Sequence, residues 1–394
     1  MTKKISLTLV AAAAMFVAHA SAVEVAGIEF HGYSRGGPVL NAADGVKGGL
    51  SLGGDLQKFR LGNEGDNGIE VDIIKNFEAA GVNWKVHYMP AKWGSGSVGT
   101  NQAYVEMSGL SFAPQAKFWA GQKRLRIQDV HIVDNFLMNY GDYQGAGVTD
   151  IGVGSAKLGL GVFTGDTFDQ KMADGTKATR FNADISEIAT NPGGKLRVLL
   201  TAVNGSGQVA GNTGYGVSVS HNQSDFLTKG MNHTLFLQTS KGHARIDGEF
   251  EGIDGMSAGK KVTRIADSLN WQMGAFGGQT ILGYQVSKDE LTGVTTEDTS
   301  IGGRVSYAFS NNFKLLGEAG TTMRKSPTGD QKLSKFTIAP TLSIGSDFWS
   351  RPELRLYYTK ANWNTAAALA NQKTFGAGGK TSRSIVGIQY EIWW

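Results

Sequence analysis

The last eleven residues, 384-SIVGIQYEIWW-394, put Val386, Ile388, Tyr390, Ile392 and Trp394 on one face of an extended strand and Gly387, Gln389, Glu391 and Trp393 on the other. A strand with one apolar and one polar face can cover a soluble core. It can equally stand in a membrane wall, apolar face to lipid and polar face to a wet lumen. Alternation alone leaves both open, but the pattern recurs with turn-rich flanks in 157-KLGLGVF-163, 194-GKLRVLLTAV-203, 335-KFTIAPTLSI-344 and 353-ELRLYYTKANW-363. The final aromatic fits an interfacial girdle at the end of such a wall.

Two features turn this pattern toward the membrane. Residues 1–22 combine Lys3 and Lys4, an apolar run from Leu7 to Ala18 and a small-residue Ala20-Ser21-Ala22 end, the layout of a secretory signal peptide, and are excluded from the fold. Beyond them no stretch approaches the roughly 18 to 20 apolar residues of a membrane-spanning helix, so any spanning must be done by strands. The absence of cysteine removes disulfides, thiolate metal sites and thiol nucleophiles, leaving stability to hydrogen bonding and packing. With 55 glycines against 7 prolines the chain suits long ladders joined by many turns. Removal of Lys3 and Lys4 lowers the net charge from +4 to +2, which offers no basis for binding nucleic acid. A single domain, 23–394, is expected, all-β and closed as a transmembrane antiparallel barrel. Sixteen to 18 strands would leave about 20 residues for each strand and its connection. Segments 204–214 and 364–379, rich in small and polar residues, read as exposed extracellular loops.

Side-chain parity then assigns the lumen. The outward Phe30 turns Glu29, His31, Tyr33 and Arg35 inward, and outward Leu354, Leu356 and Tyr358 turn Arg355, Tyr357, Thr359 and Trp363 inward; Trp393 is lumenal by the same count. Aromatic rings in a wet pore expose apolar area at a cost of about 25 cal/mol per Å². A sugar offsets that cost, because its C–H faces stack on rings while its hydroxyls bond to neighbouring charges. The plainer alternative is that each ring fills space or anchors at the girdle.

Five segments, 30-FHGYSRGG-37, 60-RLGNEGD-66, 119-WAGQKRLRIQDVHIVDNFLMNYGDYQGAG-147, 349-WSRPELRLYYTKANW-363 and 391-EIWW-394, resemble the maltoporins and related carbohydrate porins in that family's order. The resemblance implies an 18-stranded homotrimeric barrel in the outer membrane of a Gram-negative bacterium. A third loop would fold inward to constrict the pore, and a lumenal path of aromatics would guide oligosaccharides by facilitated diffusion. It implies outer-membrane lipid and oligosaccharide substrates as partners, leaves room for a periplasmic sugar-binding protein, and calls for no cofactor and no catalysis.

Carried over by position, Tyr33, Trp363 and Trp393 match slide rings, Trp93 matches a tryptophan lent by the neighbouring subunit's second loop, and Phe136 stands for a constriction tyrosine. Arg35, Arg60, Glu70, Asp129, His131 and Asp134 match polar positions that would bond sugar hydroxyls. Gly68 and Met231 fall where the family has slide rings, and Ile127 and Asn101 fall at or near arginines. An interrupted slide, a thinner polar track and weaker binding of maltodextrin-like sugars are therefore expected.

Two other classes compete. A general diffusion porin would use the same barrel without a sugar site. A barrel hydrolase could use Asp129, His131 and Asp134 as a metal or acid/base cluster, but D-x-H-x-x-D is a weak motif, and no H-E-x-x-H occurs. The glycine-rich 152-GVGSAKLG-159 lies in strand and turn context, without the following helix that a phosphate loop needs.

Overall fold

The computed structural model describes residues 23–25, 27–41, 46–172, 177–205, 213–252 and 256–394; the expected signal peptide lies outside them. In chain order the strands are β1 (Val23–Val25), β2 (Ile28–Gly36), β3 (Gly68–Ala79), β4 (Val82–Trp93), β5 (Gly99–Leu110), β6 (Ala113–Gln122), β7 (Arg126–Val130), β8 (Asn135–Asn139), β9 (Gln144–Val153), β10 (Ala156–Thr164) and β11 (Ala178–Ala189). They continue with β12 (Gly194–Gly205), β13 (Gly214–Gln223), β14 (Met231–Gly242), β15 (Lys260–Met273), β16 (Phe276–Asp289), β17 (Thr295–Ser310), β18 (Phe313–Lys325), β19 (Gln331–Ser343), β20 (Glu353–Trp363) and β21 (Ser382–Trp393). All but β7 and β8 join one antiparallel sheet, which closes because β2 pairs with β3 on one edge and with β21 on the other. Three-residue β1 continues the β21 edge, pairing with Ile28–Phe30 beyond the point where Trp394 exchanges backbone hydrogen bonds with Gly32. The wall is thus an 18-strand barrel.

Parity decides which side chains face out. In β20 Leu354, Leu356 and Tyr358 are 48%, 50% and 43% exposed, whereas Arg355, Tyr357 and Thr359 are at most 2% exposed. The five segments expected to be strands fall within or largely overlap β10, β12, β19, β20 and β21. The glycine-rich 152–159 string spans the β9–β10 turn, with its ends in the two strands. Among the described residues no helix is long and apolar enough to cross a membrane.

The lumen is not an open pipe. Segment 123–143, carrying β7, a 3-10 turn at His131–Val133 and β8, folds inside as the expected constriction loop. Segment 46–67 and segment 243–252 fold in as well, and together they build three apolar clusters inside the wall. Leu50, Leu52 and Leu61 pack with Tyr357 and Trp363, and Leu56, Phe59, Ile132 and Leu137 pack with Phe236 and Ile281. Met138, Tyr140 and Phe250 pack with Trp119, Phe163 and Leu199. Each large side chain removed from water contributes roughly 1.5–3 kcal/mol.

Inserted backbone must also be satisfied, and the polar lumenal face does this. Lys335 Nζ donates to Leu61 O (2.6 Å), Gln238 Nε2 to Leu137 O (2.6 Å), and Arg180 Nη2 to Tyr140 O (2.7 Å). Segment 364–379 is exposed at most positions, as expected of it, but is not featureless. It forms two short helices, α1 (Thr365–Ala370) and α2 (Gln372–Phe375), which bury Ala367, Ala368 and Phe375 against the first cluster. Its small residues permit close approach to the wall, a use that composition cannot separate from loop character. Residues 206–212 of the other expected loop lie outside the described residues.

Candidate functional site

What the inserted segments leave open is a cavity of about 860 Å³ between the 123–143 loop and the wall formed by β21 and β2–β5. Lumenal parity brings Tyr33 and Arg35 from β2, Glu70 from β3, Trp93 from the end of β4 and Trp393 from β21 to its lining. Segment 46–67 adds Arg60, and the inserted loop adds Asp129, His131, Asp134 and Phe136. Ten of the eleven residues singled out from the sequence therefore meet in one place.

Trp363 does not join them. It ends β20 at the loop end of the barrel, is 4% exposed, stacks on Phe375 (centroids 4.5 Å apart) and donates from Nε1 to Lys380 O (2.7 Å). Parity placed it on the correct face but could not give its depth, and α2 covers it. The ring that does reach the cavity is Trp349, at the other end of the same 349–363 motif, carried by the inward-turned β19–β20 connection. Two tryptophans in one motif were the available signal.

The polar groups form a lattice. Arg35 reaches Glu64 (2.6 Å), Asp66 (3.1 Å) and Asp134 (3.4 Å). Arg60 donates to Glu64 (3.0 Å), Glu391 (2.9 Å) and Tyr33 Oη (2.8 Å), and that hydroxyl donates to Glu391 (2.9 Å). With its hydroxyl so fixed, Tyr33 offers the cavity its ring. Burial opposes ionisation of Asp134, but Arg60, Lys58 and Arg35 outweigh it and hold the carboxyl well below the usual carboxylate range.

His131 Nδ1 lies 3.0 Å from Arg60 Nη1 and must accept there, since a guanidinium only donates. Nδ1 is thus engaged and Asp134 is bound by three cations, so two members of the cluster read from D-x-H-x-x-D are tied into the ionic lattice. No group of three His, Cys, Asp or Glu among the described residues could hold a metal ion.

The expected gaps in the lining are occupied by residues the sequence reading missed. Glu70 accepts from Arg124 (2.8 and 3.0 Å), Asn101 (2.8 Å) and Trp93 Nε1 (3.3 Å), so Arg124 brings a guanidinium beside Asn101. Arg126 lies 5.4 Å from the centroid of Phe136 and pairs with Asp142 (3.1 Å), flanking Ile127. The two arginines stand two apart in the quoted 119–147 motif, a spacing that already put them on one strand face. Asp66 closes the list of missed lining residues. Met231 begins β14 with the parity of the outward Leu237, away from this lining.

Residues 28–394 match the family model described as LamB porin. The chain belongs to the LamB porin family. A protein named Maltoporin from Vibrio cholerae serotype O1 (strain ATCC 39315 / El Tor Inaba N16961) is 26% identical over 436 residues, covering 100% of both chains. Another named Maltoporin, from Photobacterium profundum, is 26% identical over 424 residues and 95% of each. The solved structure of OmpTdeltaL8, a loop L8 deletion mutant of an outer membrane protein of Vibrio cholerae, aligns with 93% of this chain and 99% of its own at 10% identity and a TM-score of 0.46. As a member of this family the chain is an outer-membrane β-barrel porin, a channel by family rather than an enzyme.

Proposed function

We propose that this LamB-family porin passes short oligosaccharides by facilitated diffusion and binds them in the 860 Å³ cavity. One observation carries the reading: Tyr33, Trp93, Phe136, Trp349 and Trp393 all line a cavity whose arginines are each paired with a carboxylate. Four arginines face four carboxylates across it, which suits a neutral ligand rich in hydroxyls better than an ion. Ring faces take the C–H surface of a sugar, while Asp129, Asp66 and Arg126 keep exposed polar atoms for its rim. Tyr33, Trp93, Phe136, Trp393, Arg35, Arg60, Glu70, Asp129, His131 and Asp134 are the proposed site, joined by Trp349, Arg124 and Arg126. Trp363 is left out because it is buried elsewhere.

Relatives named Maltoporin support a maltodextrin-like substrate, and a homotrimer is the proposed assembly. The apolar packing of the rest of the lumen disfavours a general diffusion pore. The test is single-channel recording in planar bilayers with a panel of oligosaccharides. Saturable block of the current is expected, and a current indifferent to every sugar at high millimolar concentration would sink the reading.

A further inference from the structure

We propose that Trp93 serves the cavity of its own chain, occupying the side-chain volume that Gly68 leaves open, so that each barrel carries a complete site and borrows no ring from a neighbour. The inference rests on the sugar-site reading above. Gly68 and Trp93 face each other directly across β3 and β4. A Cβ built on Gly68 would lie 2.1 Å from Trp93 Cε3 and 2.2 Å from Cζ3, so any side chain at 68 must displace the indole. Glycine here is a matter of space and not of backbone conformation.

Three groups of the same chain hold the ring inward. Nε1 donates to Glu70 Oε1 at 3.3 Å, the Arg35 guanidinium lies 4.8 Å from the ring centroid, and Tyr33 stacks at 6.0 Å with an interplanar angle of 27°. The next residue is fastened too, because Gly94 N donates to Asn67 O at 2.8 Å. Swinging the indole outward toward a neighbour would break all of these contacts and open a void over Gly68. The gap expected at Gly68 is therefore filled, its ring delivered from the opposite strand.

Two experiments on the assembled porin decide this. The first is a swap, read as sugar block of the current. Trp93→Gly weakens block about fivefold, the loss of one stacked ring, and Gly68→Tyr combined with Trp93→Gly restores most of it. The second is complementation in mixed trimers of Trp93→Gly and Trp393→Ala subunits, with Trp93→Leu replacing the glycine variant should that variant not assemble. A ring acting within its own chain leaves every pore of the mixture weak, because each lacks one ring. High-affinity block in mixed trimers, absent from either parent, would show the ring crossing between subunits and overturn the proposal, as would full affinity in Trp93→Gly. Wild-type current unaffected by any sugar would overturn the sugar reading and this inference together, whereas complementation in a porin that does bind sugar overturns the inference alone.

Discussion

Replacing Glu391 by glutamine tests the ionic lattice beneath the cavity. Glu391 is fully buried and accepts from Tyr33 Oη, Arg60 Nη2 and Arg351 Nε, each at 2.9 Å, and from Arg355. Glu353 supports Arg351 (3.1 Å) and Arg355 but must also neutralise Lys314 (2.7 Å). Glutamine keeps the shape, removes one of two carboxylates from the Arg351–Arg355 pair and turns an amide donor toward guanidinium donors. Removing one partner of a buried ion pair costs about 3–5 kcal/mol. The barrel should unfold at correspondingly lower urea concentration, measured by tryptophan fluorescence in reconstituted vesicles. Sugar block should weaken as Tyr33 and Arg60 lose a shared anchor. Because the cost is that of uncompensated arginine, adding Arg355→Gln should recover part of it, a non-additivity of about 1 kcal/mol or more. A single variant within about 1 kcal/mol of wild type, or two substitutions whose costs simply add, would refute the reasoning.

Trp393→Ala should weaken sugar block by about 1 kcal/mol, roughly fivefold, while Trp394→Ala, which strips the ring lying against Gly32 on the outer face, should lower the yield of heat-modifiable trimer; the two phenotypes exchanged would invert the facing of the terminal strand. Asp129→Asn should move the reversal potential toward anions, since its carboxylate is 36% exposed and lies 3.6 Å from His131, and Asp134→Asn should move it further by taking from Lys58 the nearer of its two carboxylates; unchanged potentials in both would place the inserted loop away from the ion path. Burial, then Asp247 and Asp142, push the Glu249 carboxyl up to about 8. A raised carboxylate favours the protonated folded form, so the packing of 243–252 on the inserted loop should loosen as pH rises from about 4.5 to 8, by at most about 1.4 kcal/mol per pH unit. Amide exchange at Asn139, whose N–H donates to Asp247 O (2.7 Å), reads this, and Glu249→Gln should flatten the dependence; a dependence that persists in Glu249→Gln assigns it to another group.

Period-two alternation, the lack of an apolar helix and the order of five motifs were enough to read the barrel, its inserted loop and the lumenal face of β2, β20 and β21 from the sequence. Those properties are local, because a strand sends neighbouring residues to opposite sides whatever surrounds it. Depth along the wall is not local. Trp363 and Trp349 flank one strand, and which of them meets the cavity depends on α2 covering the first and the β19–β20 connection turning the second inward. The same holds for Trp93, whose place over Gly68 follows from cross-strand register, and for Arg124 and Arg126, which supply charge beside the positions where the motif lacks it. Tertiary structure alone decided how much of the lumen stays open, because apolar residues 50–61 are buried against partners far away in the chain, from Ile132 and Leu137 to Tyr357 and Trp363.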